Sequence, residues 1–340
     1  MEIKELLQRY ATGERDFRKI NLIGARLIHA NLQGVNFESA SLAGANLTRT
    51  KLNESNLNNA FLYASNLHYI QLGKGQLVAA DLTKANLEGA FLVKSNLQGV
   101  KLSGAILRGV NLRSANLTGV NLCGANLSGV NLRSANLTGA NLCWANLSYA
   151  RLNGVTLDET RLTGVILNHA HLVEVDFSEM DLNGVDFSEA NLKKANLQKT
   201  DLTAANFHLA QMTQVNLTKA TLNGANLTEA ILKHSNLTEA VLLRADLTDA
   251  NLTNANLSGA NLNLSTLAGT NFTNAKLQHT YLWKADLRGA NLEGAQLQGA
   301  SLRSANLEGA NLTGANLTDT IMPDGSTYHD VANLSLCSSF

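Results

Sequence analysis

The stretch "ANLTGVNLCGANLSG" at residues 115–129 contains three near-copies of one five-residue phrase. The phrase continues from Phe17 to Met322 without an insertion or deletion, and each copy has a large apolar residue at its centre. Of the 62 centres, 54 are Leu, six are Phe and two are Met, and none is polar. Because a fixed short period indicates a repeat architecture, the length of 340 residues does not indicate two ordinary domains.

Each position of the phrase has its own preference. A small or β-branched residue, usually Ala, lies two positions before the centre, and the residue between them is most often Asn or Asp. A spacing of two keeps side chains on one face of an extended segment. Of the 26 glycines, 22 occupy the second position after a centre, where a turn needs backbone freedom. Five residues therefore make one side and one corner.

The period of five excludes the two commonest regular structures. In an α-helix, apolar residues at every fifth position would spread around the helix and form no stripe. In a hairpin sheet, the same period would break the alternation of faces. A coil of four phrases, stacked on the next coil by parallel backbone pairing, satisfies the whole pattern. One coil alone buries too little to fold, so stability is expected from stacking.

The run from about residue 15 to residue 324 resembles the pentapeptide-repeat family, whose phrase is A(D/N)LXX. The resemblance implies an all-β fold, the right-handed quadrilateral parallel β-helix, here with about 15 coils at ~4.8 Å per coil. The handedness is taken from the family and not from the period. Leu, Phe and Ala are expected to fill the interior, which leaves no cavity for a substrate.

Three segments are predicted. Residues 1–13 form a short N-terminal capping helix, because Ile3, Leu6, Leu7 and Tyr10 recur at helical spacing and Gly13 is a stop signal. This opening resembles the N-terminal caps of cyanobacterial members of the family. Residues 14–324 form the pentapeptide-repeat β-helix. Residues 325–340, after Pro323, form a loose cap or a disordered tail, in which the apolar candidates are Tyr328, Val331 and Leu334.

The opening residues do not form a targeting signal, and no window approaches eighteen apolar residues, so we predict a cytoplasmic protein without a membrane span. Cys123 and Cys143 are twenty residues apart and should stack on an outer face. Their spacing permits a disulfide. Duplication of "NLRSANLTG" around them favours a structural interpretation instead, and Cys337 is interpreted as an ordinary thiol of the tail.

Charges one coil apart predict ion pairs of Glu179 with Lys199, Lys219 with Glu239 and Arg161 with Asp181, each worth about 0–1 kcal/mol. The formal net charge is zero, yet the signs are segregated along the chain. Residues 89–157 contain six bases and no acid, whereas residues 158–189 contain eight acids and one base. The bases of the first segment are Lys94, Lys101, Arg108, Arg113, Arg133 and Arg151.

Outward aromatic residues give two candidate sites for a protein partner, because exposed aromatic residues and arginine are favoured at interfaces. The first patch, expected near one corner, consists of Phe61, Tyr63, His68 and Tyr69. Ile70 and Gly75 occupy slots where Ala is usual and indicate a distorted coil nearby. The second patch consists of Arg133, Tyr149, Arg151, His169 and His171. Drift on a tolerant repeat surface is the alternative explanation for both patches.

Catalysis and metal binding are not predicted. His169 and His171 could chelate a metal with Glu189, but Arg151 is expected one coil below His171 and would repel a cation. No nucleophile with a base and an orienting partner is recognisable, no glycine loop interrupts the repeat, and no centre is polar. We therefore expect no catalytic residue, no metal, no cofactor and no enzymatic activity.

The predicted function is a non-catalytic scaffold that presents flat faces to an unidentified protein partner. The alternative comes from the family, in which some members are thought to imitate duplex DNA and bind type II topoisomerases such as gyrase. Duplex DNA carries one negative charge per roughly 1.7 Å, or about 44 along 75 Å, whereas this chain has 27 acids and 27 bases. It also lacks the interrupting loops of those members. An ice- or crystal-binding surface is disfavoured by the irregular placement of Thr. Direct nucleic-acid binding is not expected, and a homodimer through a coil end is left open.

Overall fold

The computed structural model describes residues 2–328. The chain divides into two compact units between His171 and Leu172. Helix α1 spans Ile3–Ala11, and strands β1 and β2 span Thr320–Ile321 and Thr327–Tyr328. Between them, the repeats consist of single-residue parallel bridges separated by turns. The predictions for Val331, Leu334 and Cys337 lie outside the described residues.

The bridges join residues that are twenty positions apart. In the first unit they run from Asp16↔Asn36 to Arg151↔His171, and in the second unit from Asp176↔Asn196 to Ser301↔Ile321. Two backbone hydrogen bonds alternate along the ladder: the N–H of a centre residue donates to a carbonyl nineteen residues later, as does Leu112 to Asn131 at 2.8 Å. Asn131 N–H then donates back to the carbonyl of Val110 at 2.9 Å. The predicted coil of four phrases is confirmed within each unit.

The centre residues form the core of both units. Every centre from Phe17 to Leu307 is buried, and only Leu312, near the end of the repeats, is half-buried. Phenylalanines at the centres pack on one another, with the rings of Phe187 and Phe207 stacked at 5.0 Å between centroids. Most of the small residues two positions before the centres are also buried. Each side of a coil thus points two apolar side chains inward, as the spacing predicts.

Hydroxyl residues replace Ala at several inward positions without leaving an unpaired polar group. Thr50, which is fully buried, donates its hydroxyl proton to the carbonyl of Leu27 at 2.7 Å. Ser95 donates in the same way to the carbonyl of Leu72 at 2.6 Å. A buried hydroxyl without such a partner would be destabilising. Carbonyls of the preceding coil, or of the same turn as for Ser65 and Leu62 at 2.7 Å, therefore make Ser and Thr acceptable inside the solenoid.

Turns at the corners explain the preferences for Gly and for Asn or Asp. The second residue after the centre has a positive φ throughout the repeats, and many of these residues are not glycine, as at His29 with a φ of 60°. The Asn or Asp before the centre accepts a hydrogen bond from the backbone two residues later, as Asn116 Oδ1 does from Thr118 N at 3.1 Å. This side-chain turn stabilises each corner.

Helix α1 packs on the first repeats. Leu6 is fully buried, and the hydroxyl of Tyr10 donates to the carbonyl of Gln33 at 2.9 Å. Arg9 pairs with Glu14, to which its Nε donates at 2.7 Å, and lies 5.6 Å from the ring of Phe17. No helix within residues 2–328 is long and apolar enough to cross a membrane.

The repeats end in a small hairpin. Strands β1 and β2 are antiparallel, with Thr320 opposite Tyr328 and Ile321 opposite Thr327. The turn contains Asp324, whose carboxylate accepts hydrogen bonds from the N–H and hydroxyl of Ser326 at 2.8 and 2.6 Å. Pro323 lies at the start of this turn, consistent with its predicted role in ending the repeat.

The coil around Ile70 and Gly75 keeps regular pairing, so the distortion expected there is not found. Ile70 is fully buried, and the Gln71↔Phe91 and Gln76↔Asn96 bridges are both present. A Cβ atom on Gly75 would lie only 2.0 Å from Cδ2 of Leu72. The leucine side chain therefore fills the space that an alanine methyl group would otherwise occupy.

Candidate functional site

Much of the polar surface already satisfies its own hydrogen bonds. Asn side chains in successive coils bond to each other, as Nδ2 of Asn116 does to Oδ1 of Asn96 at 3.1 Å. Thr hydroxyls after the centre donate to the same Asn that closes the turn, as Thr118 does to Asn116 at 2.7 Å. These bonds use part of the hydrogen-bonding capacity of the repeat side chains. The residues that depart from the repeat add exposed aromatic and charged groups to this surface.

The first patch forms as two pairs at two successive turns, and not at a single corner. Phe61 and Tyr63 stack with 6.1 Å between centroids, and both are exposed. His68 and Tyr69 make an edge contact at 4.2 Å. No ring contact within the described part of the chain joins the two pairs. Phe61 and Tyr63 flank a centre, whereas His68 and Tyr69 both follow the next centre, which separates them by one side of the coil.

Charged residues surround the first patch. The guanidinium carbon of Arg49 lies 5.5 Å from the ring of Tyr69, and Nζ of Lys84 lies 5.9 Å from the ring of Tyr63. Nδ1 of His68 lies 3.8 Å from the carboxylate of Glu88. The aromatic rings thus have both cations and a carboxylate beside them, which is a mixed surface without a single sign.

The second patch lies at one turn and on the side that follows it. Tyr149 and His169, one coil apart, stack with 4.5 Å between centroids and an interplanar angle of 6°. Arg151 bridges to His171 through the backbone, which confirms the predicted placement of the arginine one coil below this histidine. Arg133 lies on the same side one coil earlier, where its Nε donates to Asn131 at 3.2 Å.

The second patch continues into a group of exposed bases on the same side of successive coils. These four residues, which we name the basic face, are Lys94, Arg113, Arg133 and Arg151. The backbone bonds from Lys94 N to Arg113 O and from Leu132 N to Arg151 O, at 3.0 and 2.8 Å, keep their coils in register. Within residues 2–328, none of the four has a carboxylate within 4.0 Å.

Several lysines of the repeats pair with a glutamate one coil away. Two of the predicted ion pairs are confirmed: Lys199 pairs with Glu179 at 2.7 Å, and Lys219 pairs with Glu239 at 3.4 Å. Lys74 similarly pairs with Glu54 at 2.9 Å, and this hydrogen bond holds the pKa of the Glu54 carboxyl below its ordinary value. In the part of the chain that the structure describes, the four bases of the basic face lack such a glutamate partner, whereas these three lysines have one.

Four large exposed aromatic residues of the repeats lie outside both predicted patches, and one of them is Phe91, which is 44% exposed. Trp144 is 69% exposed, and Tyr281 and Trp283 are 56% and 40% exposed. Nζ of Lys284 lies 4.6 Å from the ring of Trp283. Tyr281 and Trp283 flank a centre in the same two slots as Phe61 and Tyr63, so the slot itself was a signal that could have identified them.

The cysteines and histidines form no metal site in the described part of the chain, where no group of three or more His, Cys, Asp or Glu residues could hold an ion. Cys123 and Cys143 are free thiols. The two lie in the same outward slot of successive coils, as predicted, but Cys143 is buried and Cys123 is half-buried. The backbone N–H of Cys143 donates to Asn141 Oδ1 at 3.2 Å, the turn hydrogen bond that is usual for this slot.

Stacked four-phrase coils with buried centres and variable outer residues define a β-solenoid protein. This chain belongs to the pentapeptide repeat family, whose members are right-handed quadrilateral β-helices and are generally non-catalytic. The model "Pentapeptide repeats (8 copies)" matches residues 20–59, 30–68, 76–113, 105–142, 125–164, 142–178, 170–208, 210–242, 245–283 and 284–319.

Solved structures of this family are similar to the chain. HetL, which is involved in the regulation of heterocyst differentiation in the cyanobacterium Nostoc sp. strain PCC 7120, is 28% identical over 96% of this chain and 100% of its own, with a TM-score of 0.22. Rfr23 of the cyanobacterium Cyanothece 51142 is 30% identical over 47% of this chain and 99% of its own, with a TM-score of 0.17. QnrB1, a plasmid-mediated fluoroquinolone resistance protein, is 20% identical over 60% and 89%, with a TM-score of 0.38. No curated protein sequence matches the chain.

Proposed function

We propose that this protein is a non-catalytic scaffold that binds a protein partner through its exposed aromatic and basic residues. The observation that carries the proposal is the stacked Tyr149–His169 pair beside the unpaired Arg133 and Arg151. Tyr and Arg are enriched at the energetic centres of protein interfaces. Asn and Thr side chains of the repeat bond to one another, as Asn116 does to Asn96 and Thr118 does to Asn116, whereas the terminal nitrogens of Arg133 and Arg151 have no partner within residues 2–328.

The proposal includes the finer organisation of the scaffold. About 15 coils extend over residues 14–324, residues 1–13 cap the first coil, and residues 325–340 form a tail. The buried Leu6 and the Tyr10 hydrogen bond to Gln33 support the cap. A cap of this kind would protect the unpaired backbone groups of an open coil from edge-to-edge association.

The first patch is proposed as a second contact region, formed by Phe61, Tyr63, His68 and Tyr69. No metal or cofactor is proposed, and direct binding of nucleic acid is not part of the function. We propose a cytoplasmic location, with which the free thiols of Cys123 and Cys143 are consistent. A homodimer through a coil end stays a prediction.

A pulldown from native lysate tests the scaffold function. The wild-type protein is compared with Arg133→Glu/Arg151→Glu and with Tyr63→Ala/Tyr69→Ala, after circular dichroism has shown that each variant folds. We expect the arginine variant to lose a partner that the wild type recovers, because truncation or reversal at an interface centre costs at least about 2 kcal/mol. The tyrosine variant reports on the first patch separately.

Lys193→Glu/Lys233→Glu is the matched control for the arginine variant. It makes the same change in charge at exposed positions of the second unit. Equal recovery of every partner by the wild type, both patch variants and this control would rule out the proposed contact regions.

A further inference from the structure

We propose that the basic face binds an acidic helix of a protein partner, in which Asp or Glu recurs every three or four residues. This inference rests on the proposed scaffold function and adds the chemistry of the partner. The basic face, Lys94, Arg113, Arg133 and Arg151, is fully described by the structure and lies within the first unit.

The charge on the basic face is uncompensated. Arg113 and Arg133 occupy the same slot in successive coils, and the backbone bond from Ser114 N to Arg133 O at 2.9 Å holds these coils in register. Like charges at neighbouring positions of a sheet repel each other. Elsewhere several Lys residues are offset by a Glu one coil away, as Lys194 is by Glu174 at 3.3 Å. On the basic face, carboxylates from a partner would supply the missing charges.

Arginine favours a carboxylate partner for a geometric reason as well. Three of the four residues are Arg, whose planar guanidinium group can bind one carboxylate through two parallel hydrogen bonds. Arg113 and Arg151 make no side-chain hydrogen bond within residues 2–328, and Arg133 uses only its Nε, on Asn131. The terminal nitrogens of all three are therefore available for carboxylates.

The spacing of the coils matches a helix better than an extended strand. Successive coils are separated by about 4.8 Å, the distance between paired strands. One turn of an α-helix rises about 5.4 Å, so along the stacking direction three steps accumulate a mismatch of only about 2 Å. Lys94 and Arg151 lie one and two residues away from the slot of Arg113 and Arg133, and their long side chains can span this offset. Side chains on one face of an extended strand are about 6.7 Å apart, so over the same three steps their mismatch with the coil spacing would reach about 6 Å.

Duplex DNA fits the basic face less well than a helix. Proteins that bind DNA through phosphates commonly make about 6–10 such contacts, and this face offers four bases. Exposed aromatic groups beside the face also favour a protein. Phe91 is 44% exposed one coil before Asn111, and Tyr149 is 56% exposed at the turn that leads to Arg151. Both can contact apolar residues that flank the acidic stripe of a helix.

Fluorescence anisotropy with a designed peptide tests the inference. The probe is a covalently stapled helix with four Glu residues spaced three or four positions apart on one face, and with Leu at the edges of that face. The control peptide has the same composition, with the Glu residues distributed around the helix. We expect the patterned peptide to bind the full-length protein at least about fivefold more tightly than the control, because only it aligns with the ladder.

Variants locate the binding site. Arg113→Glu/Arg133→Glu should weaken binding of the patterned peptide at least about tenfold, because attraction becomes repulsion at two positions. Lys193→Glu/Lys233→Glu, with the same change in charge on the second unit, should bind as the wild type does. If the glutamate variant does not fold, Arg113→Gln/Arg133→Gln replaces it, with a smaller expected loss.

Three results would overturn the inference. The first is equal binding of the two peptides, which would mean that only net charge matters. The second is binding that is unaffected by the arginine variants. The third is a duplex oligonucleotide that binds as tightly as the patterned peptide at the same ionic strength. Loss of the inference would leave the scaffold function intact if the pulldown still recovers a partner through the first patch.

Discussion

Tyr69 lies directly over Gly89, and this contact shows how single residues shape the surface of the solenoid. A Cβ atom on Gly89 would lie 2.3 Å from Cε1 of the tyrosine ring, which is closer than atoms can approach. Trp144 lies over Gly164 in the same way, with 2.4 Å to Cε3. A large side chain at a corner thus rests in the space that glycine leaves one coil later. Glycine at these two corners has a packing role in addition to its role in the turn.

The variant Gly164→Ala should displace the indole of Trp144, whereas Gly124→Ala should not disturb it. Both glycines have a positive φ, of 66° and 64°, but a Cβ atom on Gly124 meets no atom within 4 Å. Each substitution should lower the thermal midpoint, since a left-handed conformation costs a non-glycine residue about 1–2 kcal/mol. Only Gly164→Ala should shift tryptophan emission, measured in a Trp283→Phe background. An unchanged emission spectrum in Gly164→Ala would contradict the contact.

Residue positions were predictable from the sequence where the repeat determines them. The period alone placed Leu112 inside and Gly124 at a corner, because one inward direction and one turn recur in every phrase. Contacts between different outer side chains were not predictable in the same way. The positions of Phe61 and His68 on successive sides were visible in the sequence, but the ring contacts that each makes, and the burial of Cys143, depend on side-chain rotamers that the repeat does not determine.

Helix α1 depends on specific contacts because it lies outside the repeat ladder. Arg9 holds Glu14 by hydrogen bonds and also lies 3.5 Å from Glu5. The hydrogen bond from Arg9 lowers the pKa of the Glu14 carboxyl below its ordinary value of 4.5. The apolar spacing in α1 was visible in the sequence, whereas the Arg9–Glu14 pair needed the path of the chain after Gly13. Docking of α1 should therefore respond to pH.

Acidification should weaken the docking of α1. A carboxyl whose folded-state pKa is lowered contributes stability that is present above its unfolded pKa and is lost as the pH falls through the folded value. Protection of the α1 amides, measured by hydrogen exchange with correction for intrinsic rates, should therefore decrease below about pH 4.5. In Glu14→Gln, the α1 amides should already have low protection at neutral pH, and acidification should lower this protection little further. Glu54→Gln, which removes the Lys74 pair within the repeats, is the control, and pH-independent protection of α1 in the wild type would contradict the prediction.

At the scale of the whole molecule, the balanced composition hides an uneven surface. The chain has 27 acids and 27 bases, yet residues 89–157 contain no acid. The segregation was visible in the sequence, and the structure adds that four of these bases lie on one side of successive coils. Which of them lack a carboxylate could not be read from the sequence, because pairing depends on the rotamers of long side chains. The proposed acidic partner would contact the basic face alone.

Gyrase provides a test of function for the entire chain. An enzyme that binds a DNA-like protein must meet a surface dense in negative charge, since duplex DNA has one charge per roughly 1.7 Å. Here the formal net charge is zero, and the acids of the Glu54–Lys74, Glu179–Lys199 and Glu239–Lys219 pairs are neutralised by lysines. We therefore expect that micromolar protein neither inhibits supercoiling by purified gyrase nor protects the enzyme from a fluoroquinolone. Inhibition or protection by the wild type at that concentration would contradict this expectation. If Arg133→Glu/Arg151→Glu kept the same effect, acidic residues outside the basic face would be the groups that bind a topoisomerase.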